Sequence, residues 1–277
     1  MQGHKSNQTT TARLMTFNIQ GSTHPETGTN SWQSRAAINV KTIRRYGPDL
    51  IGFQEVQSAN WETYREQLDD YGYVAGNRYG DEERTSIFWK LSRFALIESG
   101  EFWLSRTPNE PSCDWDAHQS IGVTWVKLRC LVNGSYLLHL NTHLDHRSGL
   151  SRLQGSKLIV ERVAQLQANG IPAIVTGDFN CNPESPPYNI FKQNGFVDTY
   201  LAAGNKDGEV STYHGFEGSC YSAARWGTEP FWRVDWILTR DGAQKVRTLC
   251  CIVARDAEPP VYPSDHYPVV AEVILAG

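Results

Sequence analysis

Apolar residues fall in short runs broken by polar clusters, and the runs alternate between the period of a strand and that of a helix. Leu14 to Ile19 reads as a first strand, followed by a Gly/Ser/Thr/Pro-rich loop from Gly21 to Asn30. Trp32 to Tyr46 carries Ala36, Ile38, Val40 and Ile43 at helical spacing and stops at Gly47-Pro48. Leu50 to Val56 predicts a buried strand, Trp61 to Leu68 a helix, and Ser86 to Lys90 and Phe94 to Leu104 two more strands. An antiparallel pair, Gly122 to Leu128 with Ser135 to Leu140, surrounds the turn signal Asn133-Gly134. Leu153 to Asn169 predicts a helix ending at Gly170, and Ala173 to Thr176 the next strand. Late strands are expected over Val234 to Thr239, Lys245 to Ala254 and Tyr267 to Leu275. Strands alternate with helices, yet hairpins are frequent, so mixed sheets in one α/β domain are expected over residues 12–277, after a flexible N-terminus at 1–11.

Several of these runs end in the same chemistry. Asp178 and Asn180 follow the strand at 173–176 and, two apart, face the same way as base and amide donor. Glu55 ends the run Ile51-Gly52-Phe53, where a carboxylate is a natural ligand for a hard cation. His143 ends the strand at 135–140, and Asp265-His266 lies in a loop from which both side chains can converge on one site. Asp235, inside Arg233-Val234-Asp235-Trp236-Ile237, is an acid in an apolar strand; buried, it needs a partner, for which an imidazole is suited. Strand-end carboxylates with an Asn and histidines point to a metal-assisted active site.

Composition narrows the partners. A net charge of −4 and an isoelectric point near 6.1 argue against a high-affinity, non-specific duplex binder. The compact basic run Lys41, Arg44, Arg45 reads as a solvated helix face. Six cysteines without a Cys-x-x-Cys pair fit reduced structural thiols in a cytoplasmic protein. The polar first twelve residues offer no signal peptide, and no apolar run of about 20 residues predicts a membrane span.

Taken in chain order, the segments Met15-Thr16-Phe17-Asn18-Ile19, Ile51-Gly52-Phe53-Gln54-Glu55, Asn141-Thr142-His143-Leu144, Gly177-Asp178-Phe179-Asn180, Arg233-Val234-Asp235-Trp236-Ile237 and Ser264-Asp265-His266-Tyr267-Pro268 closely resemble the endonuclease/exonuclease/phosphatase superfamily. Deoxyribonuclease I, abasic-site endonucleases, inositol phosphatases and deadenylases share that fold. The resemblance implies a four-layer α/β sandwich, two packed mixed β-sheets flanked by helices. It also implies roles. Glu55 would be the principal Mg²⁺ or Mn²⁺ ligand, helped by Asn18 and Asp265. Asp178 would orient and deprotonate the attacking water, and Asn180 would place the phosphate or the nucleophile. His266, oriented by Asp235, and His143 would donate to phosphate oxygens, with Glu83 matching the acid that pairs with that first histidine in relatives.

Further segments resemble a bacterial branch nearer nocturnin and the deadenylases: Ser31-Trp32 with Arg35, Asp114-Trp115-Asp116-Ala117, His146 with Arg152, and Thr212-Tyr213-His214-Gly215-Phe216. They make Arg35, Trp115, His146, Arg152 and His214 candidate substrate contacts alongside Glu83. The segment from Tyr213 to Trp232 is rich in aromatics (Phe216, Tyr221, Trp226, Phe231), suited either to stacking a base or sugar or to a satellite core under a long loop. The expected enzyme is a metal-dependent phosphoesterase acting on a small phosphorylated metabolite, a sugar phosphate or nucleotide. A nuclease on single-stranded RNA or DNA is the alternative, and a non-catalytic binder is disfavoured by the full set of acids, amides and histidines.

Overall fold

A computed structural model describes residues 9–76, 84–167, 170–222 and 232–276. The elements run β1 (Thr10–Asn18), α1 (Trp32–Tyr46), β2 (Leu50–Val56), α2 (Ser58–Gln67), β3 (Tyr71–Val74), β4 (Arg84–Lys90), β5 (Phe94–Trp103), β6 (Gly122–Cys130), β7 (Tyr136–His143), α3 (Gly149–Leu166), β8 (Ala173–Asp178), α4 (Pro186–Gln193), β9 (Phe196–Asp198), α5 (Thr199–Ala202), β10 (Asp235–Arg240), β11 (Val246–Val253) and β12 (Val269–Leu275). Helix α1 has the predicted bounds for local reasons. Ser31 caps its N-terminus by accepting from Ser34 N, and Gly47 ends it in the left-handed conformation, φ 53°.

The strands form two six-stranded mixed sheets, ordered β11-β12-β1-β2-β4-β3 and β5-β6-β7-β8-β10-β9. Only β1/β2 and β7/β8 are parallel among the described pairs, each bridged by a helical crossover. Side-chain alternation then sorts the residues into layers. Leu14, Leu50, Leu137, Ile174 and Ile237 pack between the sheets. Their neighbours Met15, Ile51 and Phe53 pack with Ile43 of α1 and Tyr64 of α2, and Leu138, Val175 and Trp236 with Ile159 and Val163 of α3 and Phe191 of α4. The result is helix, sheet, sheet, helix. Among the described residues no helix is long and apolar enough to cross a membrane.

Toward the site the inter-sheet layer turns polar. Gln54 Nε2 donates to Asn141 Oδ1 at 2.7 Å and to Thr16 Oγ1 at 3.1 Å, and Thr176 Oγ1 donates to Asn141 Oδ1 at 3.0 Å. One step deeper, His139 Nε2 meets Thr176 Oγ1 at 2.9 Å. All five side chains are fully buried. Gly52 is required here, since a Cβ would overlap Thr176 Oγ1 and Asn141 Oδ1. Because alternation has period two, the same strand faces that carry Thr16, Asn141 and Thr176 next present Asn18, His143 and Asp178. The site is the outer layer of a polar stack.

Candidate active site

Asp178 is the centre. Its Oδ2 accepts from Asn18 Nδ2 at 3.0 Å and lies 3.4 Å from His143 Nε2 and 3.7 Å from His266 Nε2, while its Oδ1 accepts from Asn180 N at 2.9 Å. Four elements meet at that carboxylate: β1, β7, β8 and the loop before β12. Asp235, opposite Asp178 in the β8/β10 ladder, bonds His266 Nδ1 through Oδ2 at 2.9 Å. Its strand is anchored just upstream, where buried Arg233 donates to Asp198 at 2.6 Å and Asp207 at 2.7 Å. Thr212 Oγ1 accepts from Asp235 N at 3.1 Å.

Burial pushes the Asp235 carboxyl up and works against a charged His266. The ring is nevertheless raised well above the ordinary histidine value, because Asp235, Asp178 and Asp265 surround it; the proton of the pair resides on the imidazole. Atoms of Asp178, Asp235 and His266 fall within 4.8 Å of one another, the span of a cation site. The 2.9 Å bond between Asp235 and His266 uses two of those ligands and leaves a hydrogen-bonded dyad.

Glu55 reaches the cleft by a backbone device. Regular alternation would send it to the helix side, but a bulge between Phe53 and Val56 and a φ of 64° turn its side chain back. There Oε1 accepts from Asn18 Nδ2 at 2.8 Å and Oε2 from Gly21 N at 3.2 Å. Asp265 lines the same cleft, and burial, with Glu55 adding negative charge, holds its carboxyl up at about 6. Two carboxylates kept together in this way, with an amide beside them, form an oxygen-rich donor set that fits Mg²⁺ or Mn²⁺. Asn18, expected as a ligand, bridges Glu55 and Asp178 through Nδ2, while its Oδ1 accepts from Gln20 N at 3.1 Å. Behind it, Ser264 Oγ donates to Asn18 O at 2.7 Å.

The cleft has a volume of about 880 Å³. Glu55, His143, Asp178, Asn180, Asp265 and His266 line it together with His146 and Arg152, and Tyr213 and Trp232 are among its walls. Three other predicted substrate contacts lie elsewhere. Arg35 is fully buried, and all five of its N–H groups are taken by backbone carbonyls, of Asn30, Ile19, Pro263, Gln20 and Gly21, at 2.5–3.2 Å. It joins α1 to the loops after β1 and before β12, a structural clamp and not a substrate contact. His214 is 1% exposed, stacked on Tyr267 with centroids 3.9 Å apart, and accepts from Gly218 N through Nδ1; burial lowers its pKa to about 3. It therefore supports the site from behind, neutral and out of substrate's reach. Trp115 lines a separate groove with Arg106, Asp114 and Leu150. Glu83, Trp226 and Phe231 lie outside the described residues.

Sequence reading missed the polar stack, His118 and the part played by Asp145, whereas Tyr213 and Trp232 belong to the aromatic segment it singled out. The stack had a signal: Thr16, Gln54, His139 and Thr176 are polar residues at inward positions of apolar strands. His118 and Asp145 sit in irregular segments without one.

The sequence model of the Endonuclease/Exonuclease/phosphatase family matches residues 15–266. The chain is 25% identical over 201 residues to the probable RNA exonuclease NGL3 of Saccharomyces cerevisiae, covering 64% of this chain and 39% of that protein. Across such curated relatives, nocturnins among them, the chain spans about half their length or less. Among solved structures it superposes on an endonuclease/exonuclease/phosphatase family protein from Bacteroides thetaiotaomicron with a TM-score of 0.85 and 25% identity, over 97% of this chain and 96% of that one. A mannosyl-6-phosphatase of the same organism gives a TM-score of 0.83 and 25% identity, over 95% and 99%.

Proposed function

The chain belongs to the endonuclease/exonuclease/phosphatase family, and on that footing we propose that it is a divalent-metal-dependent phosphoesterase acting on a small phosphorylated metabolite. The observation that carries this reading is the cleft itself. Its volume of about 880 Å³ falls within the range of small-molecule sites, roughly 300–1,000 Å³. Among its described lining residues Arg152 is the one Arg or Lys, whereas a groove that tracks a nucleic-acid backbone is lined with cations. Likeness to a mannosyl-6-phosphatase supports a phosphorylated sugar as the substrate class.

Glu55, bonded to Asn18, and Asp265 would hold the cation, which when bound supplies positive charge to a phosphoryl oxygen. Asp178 orients a water and takes its proton. His266, kept protonated by Asp235, and His143 donate hydrogen bonds to phosphoryl oxygens as negative charge builds there. A bond forms from the water oxygen to phosphorus while the ester P–O bond breaks, and the proton gathered by Asp178 matches the one gained by the leaving oxygen. Asn180, whose Nδ2 donates to Leu144 O at 2.8 Å, fixes the turn that carries these groups.

A nuclease acting on single strands is the second reading, favoured by Tyr213 and Trp232 in the cleft wall, where a base could stack. A ³¹P NMR time course with Mn²⁺ separates the two, run on sugar phosphates, nucleotides and a short single-stranded oligonucleotide with the Asp178→Asn protein as blank. Loss of monoester signal with growth of free phosphate is expected. Loss of diester signal alone would overturn the phosphatase reading in favour of the nuclease.

A further inference from the structure

Besides the Asp178 cluster, the cleft is lined by His118, Gln119, Ile121, Leu144, His146 and Arg152, a group of residues we call its second arm. Two irregular segments build it, one before β6 and one between β7 and α3, together with Arg152 in the first turns of α3. The first is strained: Trp115 and Asp116 are consecutive non-glycine residues at φ 56° and 59°, a conformation that costs about 1–3 kcal/mol per residue. What holds it is Asp145, 2% exposed. Its Oδ2 accepts from His118 N at 2.6 Å, and its Oδ1 from Arg147 N at 2.8 Å and Ser148 N at 2.6 Å. Ser148 Oγ donates to Trp115 O at 2.8 Å, and Arg152 Nη1 to Asp145 O at 2.7 Å. One buried carboxylate thus ties together the backbone that carries His118, His146 and Arg152.

The tie places functional groups and little else. The rings of His118 and His146 stand edge to face, centroids 5.5 Å apart, and both are on the cleft surface. Arg152 spends one nitrogen on Asp145 O and carries no other hydrogen bond given by the structure, although it lines the cleft. Imidazoles and an amide present both donors and acceptors, the match for hydroxyl groups, which are both at once. Buried Ile121 and Leu144 offer an apolar wall to the C–H face of a ring.

We propose that this arm is the leaving-group subsite, that it takes the hydroxyls of a sugar-sized polyol through His118, His146 and Arg152, and that Asp145 is the positioning residue that holds them. It rests on the phosphoesterase reading above and names what that site selects. Leu144 of the arm directly follows His143, and its N donates to Asp178 O at 2.8 Å, so the arm borders the Asp178 cluster where the phosphate would sit.

The test compares kcat and KM on glucose 6-phosphate and mannose 6-phosphate with those on phenyl phosphate, which has no hydroxyls, for wild type, His146→Ala, Arg152→Ala and Asp145→Asn. The preference for sugar phosphate, as a ratio of kcat/KM values, is expected to fall by about tenfold or more in each variant, chiefly through KM on the sugar phosphate. Equal losses on both substrates would overturn the subsite. His146 is exposed, so its variant reports on the arm even if Asp145→Asn fails to fold. Should wild type hydrolyse neither ester class, the phosphoesterase reading fails. The arm is then judged by saturation-transfer NMR with free glucose and mannose: signals in wild type that Arg152→Ala removes support it, and no signal overturns it.

Discussion

His139 offers a sharp test of the polar stack beneath the site. The ring is fully buried, Nε2 bonds Thr176 Oγ1 at 2.9 Å, and burial lowers its pKa to about 3. In the unfolded chain the same group titrates near 6.5, so between these values the unfolded state binds the extra proton. The contribution is therefore fully present above about pH 6.5 and is lost as pH falls toward 3. At about 1.36 kcal/mol per unit, the loss by about pH 4.5 is roughly 3 kcal/mol. His139→Gln keeps a polar group for Thr176 and cannot titrate. Urea denaturation of both proteins from about pH 7.5 down to about pH 4.5 isolates the histidine, because every other titrating group cancels in the difference. Wild type should lose roughly 3 kcal/mol more than the variant over that interval. Parallel stability curves would refute a neutral, desolvated His139 and with it the view of the stack as a dry inter-sheet layer.

Glu55→Gln should weaken Mn²⁺ binding by about tenfold or more, read from the free-ion EPR signal, and shrink the rise in Tm that Mn²⁺ gives the wild type. Unchanged Mn²⁺ affinity would remove Glu55 from the cation site. Arg35→Ala should cost about 3 kcal/mol or more in chemical denaturation, since five carbonyls lose their charged donor. Intact stability with a raised KM would restore Arg35 as a substrate contact.

The helix at Trp32–Tyr46 and the strand at Leu50–Val56 were legible to the residue, because a Ser cap, a Gly-Pro stop and apolar spacing are properties of sequence neighbours. The family motifs were legible for a related reason: each sets polar residues against an apolar run, at its end, its start or within it. Short elements escaped. Strand β3, α4, β9 and α5 are 3–8 residues long, too brief for a period to declare itself, although Ser185 before Pro186-Pro187 was a readable helix start.

Arg35 and Arg152 show what no local pattern could separate. Both are helix arginines behind a serine cap, at the fourth helical position of α1 and of α3. One is buried under the loops after β1 and before β12 and the other faces the cleft, and only the packing of distant segments decides which. Glu55 is similar: its residue type marked it as a ligand, but a bulge against β4 aims it. The arm around His118 and His146 belongs wholly to tertiary structure, since Asp145 joins segments 27 residues apart through backbone N–H groups that every sequence possesses. Sequence periodicity fixes which face of a strand or helix is apolar. Which polar groups then converge is settled when two sheets close on each other, because burial makes each of them find a partner that the chain brings from far away.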